Sequence, residues 1–202
     1  MIAPADVAAV RAPGRPRSVE ADDAILEAAI EVFAETGYEG LSVEAVAARA
    51  GVGKATVYRR YSCKVELVAA ACRAYADLGR EAPDTGSLLG DLRELLDALV
   101  TVLTSTPVGR MMPMLVAGRA RIPELAAAQR ALVRDKRRQH RTVIDRAIAR
   151  GELRPDVDPE LVIDAVVGPV FYRFLVSGAP IDDAYLDSVA TSVVRAFAPS
   201  RA

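Results

Sequence analysis

The sequence has no tryptophan, a single histidine and two cysteines. With His140 alone, a histidine-rich metal site is excluded. Cys63 and Cys72 lack the short spacing of a zinc pair. On or beside one helix they would lie roughly 13 Å apart at ~1.5 Å per residue, beyond the reach of a disulfide. A reduced, cytoplasmic protein is expected, and nothing calls for a metal or cofactor. Aromatic residues make up only 5%. No uninterrupted apolar run of about 18 residues occurs, which argues against a membrane-spanning helix. The opening MIAPADVAAVRAP lacks a basic start followed by a continuous apolar segment, so it does not read as a secretory signal. Strand-like alternation and internal repeats are missing. So are a P-loop, a dinucleotide fingerprint and a nucleophile elbow, and His140 has no paired nucleophile, so no catalytic residue is assigned and an enzyme is not expected.

What the chain has is helix-forming material. Of its 202 residues 51% are hydrophobic, mainly Ala, Leu and Val, enough for a substantial all-helical core. Charge is almost balanced, 26 Lys and Arg against 27 Asp and Glu. It is nevertheless unevenly placed. From Arg49 through the stretch AGVGKATVYRRYSCK, residues 50–64, there are five basic side chains (Arg49, Lys54, Arg59, Arg60, Lys64), two tyrosines and no acid.

Periodicity and punctuation predict about nine helices. Residues 1–17 contain three prolines and end in RAPGRPR, which reads as a flexible basic arm. Ser18 is placed to cap a first helix carrying Ile25, Leu26, Ala29, Ile30 and Phe33, ended by Thr36-Gly37. Ser42 begins a short second helix that Gly51 ends. A third runs from about Gly53 or Lys54 to Tyr61, and a fourth starts near Lys64. Residues 81–87, EAPDTGS, read as a connector. Longer helices follow: one marked by Leu88, Leu92, Leu95, Leu96, Leu99 and Leu103, and a proline-interrupted one with Met111, Met112, Met114 and Leu115. A third of these runs from Pro123 to Arg150, and a fourth begins with the cap Asp158-Pro159 and reaches about Val176. The last runs from Asp182 to Pro199. The chain divides into the arm, 1–17, a helix-turn-helix unit, 18–64, and a helical body, 65–202.

Two short helices joined by RAGVGK form a helix-turn-helix pattern. Gly51 permits a positive φ in the turn, and Val52 pins the turn to the core. The following helix would point its first residues, Lys54 foremost, into a DNA major groove. Its free N–H groups attract a phosphate. Tyr58, Arg60 and Lys64 suit phosphates flanking the groove. The plain alternative is a solvated basic face on an ordinary helix pair.

Residues Ile25–Leu67 carry a more specific pattern: Phe33, Gly37-Tyr38, Ser42, Val46-Ala47, Ala50-Gly51-Val52, Lys54, Thr56, Tyr58, Lys64 and Leu67. This stretch resembles the DNA-binding head of the TetR family of bacterial transcriptional regulators. Residues 164–181, DAVVGPVFYRFLVSGAPI, resemble the penultimate helix of one actinobacterial-type subgroup. Two positions depart from the family pattern: Gly53 stands where a serine is usual, and Cys63 where Ser, Asn or Asp often caps the fourth helix.

The resemblance implies a ligand-responsive repressor, homodimeric on a near-palindromic operator and associated with the nucleoid when bound. Lys54, Ala55 and Arg59 would face bases, and Thr56, Tyr58, Arg60 and Lys64 the backbone, with Ser42 in the same DNA-binding set. The last two long helices would dimerise through Leu161, Val166, Val170, Leu186, Val189 and Val193. A small, neutral or weakly cationic hydrophobic effector would sit among Met111, Met114, His140, Phe171 and Phe174. Each assignment has a plainer reading. His140 lies on an apolar stripe and suits a core position with a backbone partner, and the methionines suit gap-filling. Arg15 and Arg17 either enter a narrow minor groove or only solubilise the arm. The basic residues Arg130 to Arg141 either offer a second nucleic-acid site or, more plainly, form a solvated outer helix face. A constitutive DNA-binding or architectural protein without an effector is the competing function.

Overall fold

The computed structural model describes residues 16–75 and 81–199. These form nine α-helices and one π turn: α1 (Pro16–Gly40), α2 (Val43–Arg49), α3 (Lys54–Tyr58), α4 (Lys64–Tyr75), α5 (Leu88–Ser105), α6 (Pro107–Gly118), α7 (Pro123–Ala149), α8 (Pro159–Tyr172), the π turn Arg173–Ser177, and α9 (Asp183–Phe197). The all-helical expectation holds. Helix begins at Pro16, two residues before the expected Ser18 cap. Among the described residues no single helix is long and apolar enough to cross a membrane.

Several helices are capped by the side chain at their start. Ser42, Ser87, Asp158 and Asp182 each accept a hydrogen bond from a backbone N–H of the helix they precede, which satisfies donors that the helix itself leaves unpaired. α1 breaks at Gly37, whose φ of 71° and ψ of −179° lie in a region essentially reserved for glycine. α8 stays helical through Pro169 to Tyr172 and then widens. Gly178 N–H donates to the carbonyl of Arg173 at 2.9 Å, the spacing of a π turn. The sequence pattern alone predicts one helix reaching Val176, without the π turn.

Two apolar cores result. The first gathers Ile25, Ile30 and Phe33 of α1, Val46 of α2, Val57 of α3 and Leu67 of α4, and it extends to Val108, Met111 and Leu115 of α6 and Leu125 of α7. The second gathers Leu88, Leu92 and Leu96 of α5, Val143, Ile144 and Ala147 of α7, and the inner faces of α8 and α9. Met112 packs against both. α5 thus belongs to one core and α6 to the other. They meet at 89°. Thr106 makes the corner: its Oγ1 donates to the Val102 carbonyl at 2.7 Å and accepts from Val108 N–H at 3.2 Å. Gly109 lies so close to the end of α5 that a Cβ there would stand 1.8 Å from the Leu103 carbonyl oxygen.

Ion pairs tie the body's helices together. Arg93 of α5 binds Asp97 and reaches Asp183 and Asp187 of α9 at 2.8 and 2.7 Å. Arg137 of α7 joins Glu160, at 2.5 Å, and Asp164 of α8. Asp91 is fully buried, and its charge is met by Thr85 N–H at 2.7 Å, Thr85 Oγ1 at 2.8 Å and Arg150 at 3.2 Å, as a buried carboxylate requires.

Candidate nucleic-acid interface

The turn between α2 and α3 closes as its sequence demands. Val52 N–H donates to the Ala47 carbonyl at 3.0 Å and Gly51 N–H to Ala48 at 3.4 Å, with Gly51 at φ 66°. This is a Schellman closure, which requires a left-handed residue after the helix. Val52 packs against the first core. Val57 is fully buried and fixes the rotation of α3. With Val57 inside, Lys54, Ala55, Tyr58 and Arg59 face outward and are exposed, and Thr56 is half-buried. Gly53 caps α3 without a side-chain hydrogen bond.

The other sequence-predicted residues are placed less simply. Ser42 Oγ accepts from Ala45 N–H at 3.0 Å as the α2 cap. Lys64 Nζ donates to the Leu41 carbonyl at 2.8 Å and stands 5.3 Å from the Tyr38 ring centroid. Arg60 forms an ion pair with Asp22 of α1, and its side chain is only 18% exposed. At the start of α4, beside Cys63, the Glu66 carboxylate accepts from Ser62 N–H and Oγ at 2.7 and 2.6 Å. Those bonds hold its pKa below the ordinary value. Arg15 lies outside the described residues, and Arg17 falls in the first turn of α1.

Acidic partners are what the sequence reading missed. Lys54 Nζ lies 2.6 Å from Glu44 Oε1 of α2. Arg49 makes a two-pronged pair with Glu35 at 2.6 and 2.7 Å, with Glu31 at 3.7 Å. The Arg49 hydrogen bond lowers the pKa of Glu35. Among the described residues, no group of three or more His, Cys, Asp or Glu side chains is placed to hold a metal ion.

The residues expected to line an effector site do not share one cavity. Met111 is fully buried in the first core and Met114 packs against it, close to Gly37. His140 borders a cavity of about 10 Å³ with Leu92, Leu95, Ile144, Ile163 and Val166 in the second core. Phe171 and Phe174 pack against that core from outside the cavity lining. Burial, then the charges of Lys136 and Arg137, lowers the His140 pKa to about 4, so the ring is neutral at pH 7.

Of the residues expected to dimerise, only Leu161 is exposed, at 55%. Val166, Val170, Leu186, Val189 and Val193 are buried in the subunit's own second core. The regular apolar stripe of each helix turns inward because it has the most apolar area to remove from water. Between α8 and α9, an outward groove of about 410 Å³ is lined by Ala165, Pro169, Ser188, Ser192 and Ala196, and two of the expected residues, Val189 and Val193, form part of its floor.

Two family profiles fit this architecture. One, described as "Bacterial regulatory proteins, tetR family", matches residues 25–71. The other, "Tetracyclin repressor-like, C-terminal domain", matches residues 82–193, more than half of the chain. The chain belongs to the TetR family.

Relatives agree along its length. The HTH-type regulator YdeS of Bacillus subtilis is 33% identical over 174 residues, covering 86% of this chain and 87% of YdeS. The DNA-binding transcriptional repressor TetR of Mycobacteroides abscessus is 33% identical over 173 residues, 85% of this chain and 90% of that protein. The crystal structure of the TetR-family regulator SCO0332 superposes with a TM-score of 0.68 at 30% identity, covering 89% of this chain and all of the other. As a TetR-family member the chain is a DNA-binding transcriptional regulator, with a helix-turn-helix built from α2 and α3.

Proposed function

We propose that the protein is a cytoplasmic homodimeric repressor that binds a near-palindromic operator and is released by a small hydrophobic effector. The observation that carries this reading is the shared first core: Met111 and Leu115 of the body's α6 are buried in one cluster with Phe33 and Val57 of the head. A change in the body therefore reaches the recognition helix through packed side chains.

The dimer is supported by the outer faces of α8 and α9. α3 is five residues long, so one head buries too little for tight binding and two are needed. Along α8 and the π turn, Leu161, Ala165, Pro169, Tyr172 and Val176 recur at helical spacing, with Leu161, Tyr172 and Val176 exposed. To engage both half-sites, a second copy seated there would have to hold the two recognition helices about 34–36 Å apart, one turn of duplex.

The effector site in this reading is the cavity beside His140. At about 10 Å³ it has room for at most one water, against roughly 300–1,000 Å³ for a ligand pocket. The DNA-competent body is the closed one, and an effector opens it. By linkage, effector and operator then weaken each other equally. The same closed cavity favours the second reading, a constitutive DNA-binding protein without an effector. Melting in the presence of a hydrophobic-compound library separates them: a raised melting temperature with lost operator affinity supports release, and a library without effect supports constitutive binding. For DNA itself, Lys54→Ala is expected to weaken operator binding by about 1–3 kcal/mol. Unchanged operator affinity in a folded Tyr58→Ala, Arg59→Ala double variant would overturn the docking.

A further inference from the structure

Lys54, the first residue of α3, is not a bare cation. Its Nζ lies 2.6 Å from Glu44 Oε1, while both side chains remain more than half exposed. The pairing with Lys54 holds the Glu44 carboxyl below its usual pKa, so the carboxylate is charged at neutral pH.

An ammonium has three donors and no acceptor. Glu44 occupies one and leaves the others for DNA. What they can then bind is restricted by charge. A guanine O6 or N7 in the major groove is a neutral acceptor, and it can approach Lys54 with the carboxylate still in place. A phosphate oxygen approaching the same ammonium is anionic and meets Glu44 as well. The pair is net neutral, so it releases no counterion on touching the backbone, and counterion release is what drives sequence-independent binding.

We propose that Glu44 is a positioning and specificity-determining residue: it holds the Lys54 ammonium as a charge-compensated donor that reads a base edge and declines the phosphate backbone. This rests on the reading of Lys54 as a base contact. Lys54 differs here from Arg60 and Arg49, whose carboxylate partners, Asp22 and Glu35, sit on α1. Glu44 lies in the first turn of α2, the helix that crosses the backbone in helix-turn-helix docking.

The test uses the full-length protein, an operator duplex recovered by selection from random DNA, and a scrambled duplex of equal length. Affinities are measured across a salt series for the wild type, Glu44→Gln, Lys54→Ala and the double variant. Glu44→Gln is expected to tighten scrambled binding about three- to tenfold at low salt. Its salt slope should steepen by about 0.9, the value for one added phosphate contact. Operator binding should tighten less, so the operator-to-scrambled ratio falls. In the Lys54→Ala background, Glu44→Gln should no longer tighten scrambled binding. Equal tightening on both duplexes, the same gain without Lys54, or no change would each overturn the proposal. If Lys54→Ala alone leaves operator affinity intact, the base-contact reading itself is wrong, and that variant reveals it without reference to Glu44.

Discussion

In the first core Phe33, Ile25 and Val57 are fully buried and α6 adds Val108, Met111 and Leu115. The second core ends at an open groove between α8 and α9, with Leu161, Tyr172 and Val176 exposed along α8 and the following turn. The only histidine of the chain, His140, borders the second core, and the recognition surface over the first carries Lys54, Tyr58 and Arg59. The division of chain into cores does not follow the division into head and body. Part of the body, α6 and the start of α7, completes the head. What is left over is a helical layer with one apolar face inside and another outside.

Four experiments would break or sharpen that contrast. The largest effect is expected from Phe33→Ala, which removes a fully buried ring and should cost about 3–5 kcal/mol. Amide exchange should rise in α6 together with α1–α4, and much less in α8 and α9. Equal loss in α8 and α9 would show that the two cores open as one unit.

Gly37→Ala should cost about 1–3 kcal/mol, because φ 71° with ψ −179° is strained for any side chain. The new Cβ would also stand 3.2 Å from the Met114 methyl. Denaturant melts measure the cost, and an unchanged midpoint would mean that the joint between α1 and α6 is loose.

Acid should loosen the second core first. The His140 pKa falls from 6.5 in the open chain to about 4 in the folded protein. The unfolded state therefore binds the proton more readily between those values. The stability is fully present above about pH 6.5 and is lost as pH falls toward 4. The ring is incompletely enclosed, so the expected loss is on the order of 1–2 kcal/mol. Glu35, Glu44 and Glu66 in the head, whose pKa values are lowered, give up their partners only at more acid pH. A melting series from pH 7.5 to 5 should flatten in His140→Gln, and the same slope in that variant would refute the assignment.

The smallest effect on the single subunit is expected from Leu161→Ser with Val176→Ser, within about 0.5 kcal/mol per site, as for surface positions. Sedimentation should nevertheless report weaker self-association. Unaltered assembly would move the dimer contact away from this face.

Most helices were legible because their ends carry residues that act locally: Ser42, Asp158 and Asp182 as caps and Gly51 as a stop. The recognition helix was legible because Gly51 marks the turn before it and Val52 pins that turn to the core. What stayed hidden is long-range. Glu44 precedes Lys54 by ten positions and Asp22 precedes Arg60 by 38, and no helical periodicity joins such pairs. Met111 and Met114 share a face as expected, yet that face meets α1. Val166, Val170 and Leu186 form apolar stripes as expected, yet the stripes turn inward. Periodicity tells which residues share a face and is silent about which neighbour that face meets. The π turn at Arg173–Ser177 left no signal beyond Gly178 at its end.

The corner at Thr106 has a mechanical meaning. A rod joined to another at a right angle acts as a bell crank: a push along the first becomes a sweep across the second. α5 is the input arm, lying among α7, α8 and α9, and α6 is the output arm, lying against α1. At the pivot, the Gly109 backbone is pressed so closely on the Leu103 carbonyl that there is no space for even one added carbon. A pivot without slack passes on small travel undiminished. A displacement of α5 along its own axis would therefore bear directly on α6, the arm that lies against α1.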